Sequence, residues 1–154
     1  MLLATSVLPA PTNPAVPKDI TTKLGLINSK IVSSKTNDFI DKFNIILTSG
    51  RQLIEELSGG NQQKCIISKW LLSKPKVLIL DEPTRGVDVG VKSEMYEIIN
   101  ELAKEGTAII LISSELPEIL SLSHRIIVMS EGKITKILDN KDATQENIMR
   151  YAIN

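Results

Sequence analysis

The sequence predicts an α/β fold with a parallel strand layer, and three stretches carry that expectation. Val77–Leu80 and Ala108–Ile112 are short continuous apolar runs, the pattern of parallel strands covered on both faces. Between them, Met95, Ile98, Ile99 and Leu102 recur at i, i+3, i+4 and i+7, which places an amphipathic helix over Val91–Lys104. Ahead of both, Ser58-Gly59-Gly60 opens a helical pattern that runs to Leu72. Strand and helix in alternation indicate a parallel layer.

The remaining elements follow in order. Phe39, Ile40 and Phe43 recur at helical spacing after Thr36, a fair N-cap, so Asp19–Gly50 reads as mostly helical. In the helix from Ser58, Ile66, Ile67, Trp70 and Leu71 make the apolar face, and Gln62, Lys64, Ser68 and Lys69 the polar remainder. This helix must stop before Pro75, because the residue ahead of a proline leaves the α region. Pro83-Thr84-Arg85-Gly86 reads as a turn, and Gly106 stops the helix before the second strand. A short helix from Pro117 carries Ile119 and Leu120. Ile126–Met129 and Ile134–Leu138 flank Glu131-Gly132-Lys133 as a hairpin. Asp142 with Gln145 could box the start of a last helix holding Ile148 and Met149.

The segment 1–18 stands apart. It holds Pro9, Pro11, Pro14 and Pro17 and no charge before Lys18. Such proline spacing excludes a helix and favours an extended or disordered tail, and the stretch lacks the basic start of a secretory signal. The expectation is a disordered or non-native tail, with the folded chain running over 19–154.

Composition excludes several classes. Lysine plus arginine balance aspartate plus glutamate at 18 each, so the chain lacks the basic excess of a nucleic-acid footprint. No apolar run approaches the roughly 20 residues of a membrane helix. Cys65 is the single cysteine, so no intrachain disulfide can form, which fits a reducing cytoplasm. It sits on an apolar helix face and reads as a buried inert thiol.

Two stretches carry chemistry. Vicinal backbone N–H groups at a glycine-rich helix start form an anion site, because first-turn donors have no helical partner and the helix dipole is positive there. A buried strand that ends on Asp81-Glu82 places one carboxylate to hold Mg²⁺ through water and the next to polarise an attacking water. A phosphate donor and metal carboxylates within about 25 residues of each other point to nucleoside triphosphate chemistry.

These residues also carry a resemblance. Leu57-Ser58-Gly59-Gly60-Asn61-Gln62-Gln63 resembles the signature motif of ATP-binding cassette (ABC) proteins, and Val77–Glu82 resembles their Walker B strand. Gly86-Val87-Asp88 sits where their D-loop sits. The continuation to Lys64 and the run Thr84–Gly90 are similar to bacterial monosaccharide importers of the ribose and galactoside type. The likeness is closest to the second of the two ATPase halves fused in one chain there. It extends from about Asn37 to the C-terminus and is strongest over Leu57–Gly132.

The resemblance implies a partial P-loop NTPase domain. Residues 19–74 would form part of its helical subdomain and 75–154 part of its core. Ser58, Gly59 and Gly60 are implied to touch the γ-phosphate of ATP held on a partner ATPase domain, with Gln62 nearby. Asp81 is implied to bind Mg²⁺ through water, Glu82 to be the catalytic base or water polariser and Asp88 to cross the dimer interface. Implied partners are that second ATPase domain and the membrane permease subunits of a sugar importer. The implied location is cytoplasmic, peripheral on the inner face of the membrane.

Two departures qualify the activity. The switch position that usually carries histidine falls on Ser114, and serine can neither hold a phosphate as imidazolium does nor relay a proton as readily. The single histidine, His124, reads as a surface or hydrogen-bonded side chain. No GxxxxGK[ST] loop occurs in the sequence, since Gly25–Lys30 and Gly59–Lys64 fail its spacing. The Q-loop and the adenine-stacking aromatic are not found either. The chain alone is therefore expected to be inactive. A non-enzymatic remnant or interaction module is the alternative, and a non-transport ABC ATPase the third reading.

Overall fold

A computed structural model describes residues 28–153. The expected tail over 1–18, and the first part of the helical segment that follows it, lie outside the described residues. The described residues divide into two compact units, 28–75 with 86–98 and 76–85 with 99–153.

In the first unit, α1 spans Ser29–Lys42. Its cap is Asn28, whose side chain accepts from the backbone N–H groups of Lys30 and Ile31. The cap therefore lies eight residues ahead of Thr36, which falls inside the helix. No residue of α1 is fully buried, so the added turns carry no apolar period to announce them. A short 3₁₀ turn over Ile54–Glu56 leads into α2, Gly59–Leu71, capped by Ser58.

The two faces of α2 differ from expectation at three positions. Ile67 is buried as expected, but Ile66 is 46% exposed, while Lys64 and Ser68 are buried. Lys64 can be buried because its ammonium meets the Glu94 carboxylate and donates to the Asn44 carbonyl. The Ser68 hydroxyl donates to the Lys64 carbonyl one turn back. Cys65 lines an apolar cavity of about 260 Å³ together with Val32, Phe39, Ile40 and Leu72. Cys65 is half-buried, short of the full burial expected, and the desolvation it does meet pushes its thiol above the ordinary cysteine value.

In the second unit, β1 (Val77–Asp81) and β2 (Ala108–Ile112) pair in parallel, in a register that sets Val77 against Ala108 and Asp81 against Ile112. The connection between them contains α3, Val89–Lys104, which starts in the first unit and ends in the second. All four periodic residues of α3 are buried. Gly106 takes a left-handed φ of 94° and ends the helix. The β1–β2 pair does not show two covered faces. Leu78 and Leu80 are buried while Val77 and Ile79 are exposed, the alternation of strands with one covered face.

After β2, α4 spans Leu116–Leu122 with Pro117 in its first turn. β3 (Arg125–Ser130) and β4 (Lys133–Asp139) form an antiparallel hairpin. Glu131 and Gly132, with φ of 48° and 77°, make the turn. α5 spans Gln145–Ile153. Its start is boxed by Thr144 and Asn147, not by Asp142 and Gln145. The Asn147 side chain accepts from the Thr144 N–H, and the Thr144 hydroxyl accepts from the Asn147 N–H. Asp142 instead lies in a 3₁₀ turn, where its carbonyl accepts from the Asn147 side chain. Ile119, Ile126, Val128 and Ile148 form the core here, and Leu111, Leu138 and Tyr151 pack against it. Among the described residues, no helix is long and apolar enough to cross a membrane.

Candidate functional site

The sequence-predicted site residues fall into two groups, one in each unit. The first group gathers at two helix starts. Ser58 and Gly59 are exposed at the opening of α2. The Ser58 hydroxyl accepts from the Asn61 backbone N–H at 3.5 Å and from the Asn61 side chain at 2.9 Å. Asn61 also accepts from the Ile46 backbone N–H at 3.0 Å, which ties the turn to the irregular stretch after α1. Gln62 is half-buried and donates from its side chain back to the Leu57 carbonyl at 2.8 Å. That bond spans the whole Ser-Gly-Gly turn and fixes its entry.

The two signature glycines are not equivalent. A Cβ added at Gly59 would meet nothing within 4 Å, so a ligand can approach this backbone closely from outside. Gly60 is buried, and a Cβ there would meet Val91 of α3, with Cγ2 at 2.8 Å, Cβ at 3.1 Å and Cγ1 closer still. Asp88 is exposed and caps α3, its Oδ1 accepting from the Val91 N–H at 2.9 Å. The fold thus brings the starts of α2 and α3 into contact, with Ser58, Gly59 and Asp88 all open to solvent.

The second group sits at the C-terminal ends of β1 and β2. Asp81 is exposed as the last residue of β1. Glu82 follows it half-buried, with a left-handed φ of 48°. That conformation in a residue with a side chain costs about 1 kcal/mol and persists only where its surroundings hold it. Three bonds hold Glu82. Its N–H donates to the Ile112 carbonyl at 2.9 Å, its carbonyl accepts from the Arg85 N–H at 3.1 Å, and its Oε1 accepts from the Ser114 N–H at 2.9 Å. Ser114 is exposed, and it reaches Glu82 through its backbone N–H. His124 is exposed on the connection to β3.

Sequence reasoning missed one buried pair beside Glu82. Thr84 and Glu118 are 1% and 0% exposed, and the Thr84 hydroxyl donates to Glu118 Oε1 at 2.8 Å. Glu118 Oε2 is buried without a hydrogen-bond partner among the described residues. The pair anchors the turn after β1 to α4. The single signal in the sequence was a charged glutamate inside the largely apolar run Leu116–Leu122. Among the described residues, no cluster of three or more His, Cys, Asp or Glu side chains could hold a metal ion. Any metal at Asp81 would need further ligands from water or from a phosphate.

Comparison with known proteins bears on the fold and on the chain's relatives. A family model described as ABC transporter matches residues 11–85. The chain is 52% identical over 127 residues to the ribose import ATP-binding protein of Clostridium tetani, covering 82% of this chain and 25% of that protein. It is 52% identical over 131 residues to the galactose/methyl galactoside import ATP-binding protein of Clostridium perfringens, covering 85% and 25%. The chain thus spans about a quarter of the length of these curated relatives. Among solved structures, a metal-chelate type ABC transporter in an inward-facing conformation superposes with a TM-score of 0.70 at 18% identity. It covers 85% of this chain and 52% of that one. A dimeric bacterial ABC transporter cassette superposes at 0.66 and 17% identity, covering 75% and 50%. A post-hydrolysis state of that cassette, bound to ADP and phosphate, superposes equally well. The structures carry the fold, and the identity over most of the chain carries the likeness: the chain holds part of an ABC transporter ATPase domain.

Proposed function

We propose that the chain works in a monosaccharide import system, of the ribose or galactoside kind, by completing an ATP site shared with a second ATPase domain. The observation that carries this reading is the open start of α2. Ser58 and Gly59 are exposed there, with no neighbour to obstruct Gly59 and with Asp88 exposed at the adjoining helix start. The first-turn N–H groups and the Ser58 hydroxyl would bind the γ-phosphate of an ATP held on the partner, with Gln62 fixing the turn and Gly60 seating it. Asp88 would cross to the partner. Residues 19–74 would serve as part of the helical subdomain that meets the permease subunits, with 75–154 as part of the core. The assembled protein would lie in the cytoplasm, peripheral on the inner face of the membrane.

The second group would make this chain's contribution to its own half-site. Mg²⁺, when bound with ATP, neutralises charge on the phosphate oxygens. Asp81, exposed at the end of β1, would hold it through water. Glu82, fixed by the Ser114 N–H, would orient or deprotonate the attacking water. Ser114 offers a hydroxyl where an imidazole would share charge, so this half-site would turn over slowly even when complete. With no GxxxxGK[ST] in its 154 residues, the chain alone would neither hold ATP tightly nor hydrolyse it.

The test is ATP turnover by a partner ATPase domain that carries GxxxxGK[ST], with and without this chain, in membranes containing the permease. Addition of the chain is expected to raise turnover about tenfold or more, since it completes the phosphate contacts. Turnover independent of the chain would contradict the reading.

A further inference from the structure

We infer that the signature turn and the D-loop are locked together as one rigid piece, with Gly60 and Val91 as the contact and Lys64 and Glu94 as positioning residues. Two independent observations converge on this within a single unit. The first is steric. Gly60 is buried in the first turn of α2, and α3 approaches so closely that an added Cβ would fall within 2.8 Å of Val91 Cγ2. Real Cβ contacts are not that short, so any other residue at this position must displace Val91, by moving its side chain or the helix start that carries it. Gly60 is therefore required here by helix packing, whereas Gly59 keeps the turn open to a ligand.

The second observation is electrostatic, one turn further along each helix. The Lys64 side chain is 3% exposed and meets the Glu94 carboxylate, while also donating to the Asn44 carbonyl at 3.1 Å. A buried ammonium without its partner is strongly unfavourable, so the pair holds α2 against α3 in one register. Val91 is also the residue whose N–H is received by Asp88 Oδ1. A displacement of Val91 thus acts directly on the D-loop cap. Gly60 touches Val91, Val91 bonds Asp88, and Lys64–Glu94 sets the spacing behind them. Phosphate contact at Ser58–Gly59 and interface contact at Asp88 then form or break together. This consequence rests on the proposed trans role, while the lock itself does not.

The experiment measures amide hydrogen exchange in the full chain and ATP turnover with the partner domain. In Gly60→Ala, exchange over 88–95 is expected to accelerate at least tenfold, and adding Val91→Ala is expected to return it to within about threefold of the original chain. Glu94→Gln is expected to accelerate exchange at both helix starts. If Gly60→Ala unfolds the chain, recovery of protection in the Gly60→Ala/Val91→Ala variant supports the lock, and failure to recover overturns it. Acceleration confined to α2 also overturns it. In turnover, Gly60→Ala is expected to lose activity and the double variant to regain it. Loss that Val91→Ala does not repair would place Gly60 at the phosphate instead and overturn its role as a packing contact. Gly59→Asp reports on the trans role separately: unchanged turnover there would remove that role and leave the exchange result to decide the lock.

Discussion

Gly59→Asp is expected to lower ATP turnover of the assembled pair by at least about 100-fold, the size of effect seen when preorganised donors to a developing anion are lost. The position makes the effect specific. Gly59 is exposed with open space where its side chain would be, so the aspartate fits without disturbing α2 or its Ser58 cap. The new carboxylate would project from the helix start into the place where a phosphate should sit. Like charges at close range in a water-poor interface repel strongly, and the carboxylate would also compete for the first-turn N–H groups. An aspartate in a first turn is favourable to a helix in isolation, so the melting temperature should hold or rise slightly. Loss of turnover with retained stability is the signature to look for, measured by phosphate release at saturating chain and by thermal melting of the same preparation. Equal turnover in the two proteins would remove the signature turn from the site.

Ile148→Ala is expected to destabilise the chain by about 3 kcal/mol, the middle of the range for truncating a buried isoleucine. Ile148 is 0% exposed, and it is the residue of α5 that joins Ile119, Ile126 and Val128 in the core. The change removes three carbons from a site walled by a β-hairpin and two helices, which cannot readily collapse around the cavity. For a chain of this size the loss corresponds to a fall of about 10 °C in melting temperature. Met149, the next residue, is 44% exposed, and Met149→Ala is expected to shift the melt by less than about 2 °C. Calorimetric melts of the two variants would show the difference. Similar losses for both would mean that α5 does not dock through Ile148.

The parts of the fold legible in the sequence were those with local signals. Ser58 announces α2 because a serine cap before two glycines and an apolar period is a local pattern. The run Met95–Leu102 marks its face of α3 in the same way, and Glu131-Gly132 marks the hairpin because both residues must take φ > 0. Where two local signals competed, reading was less secure. Thr36 and Asn28 are both good caps, and only the bonds from Lys30 and Ile31 decide for Asn28. Thr144–Asn147 and Asp142–Gln145 are overlapping boxes of equal spacing, and the structure uses the first.

Buried charge was not legible at all. Lys64 reads as solvent-facing until Glu94, thirty residues later in the chain, is seen beside it. Glu118 and Thr84 lie 34 residues apart and give no sign of each other in a single sequence. The site divides on the same line. Ser58, Gly59, Asp81 and Asp88, all exposed, are site candidates through the family resemblance of the motifs that hold them. The difference between Gly59 and Gly60 needed the position of Val91, which no spacing supplies. The left-handed backbone of Glu82, and the Ser114 N–H that donates to its carboxylate, likewise depend on how β1 and β2 are registered.

The central claim is that this chain completes a nucleotide site it does not own. Calorimetric titration of the purified chain with ATP and Mg²⁺ tests it most directly, first alone and then with the partner ATPase domain. The expected result is no heat of binding in the micromolar range for the chain alone, and binding to the mixture tighter than to the partner alone. Micromolar binding by the isolated chain would contradict the account, because a nucleotide site would then exist without a GxxxxGK[ST] loop.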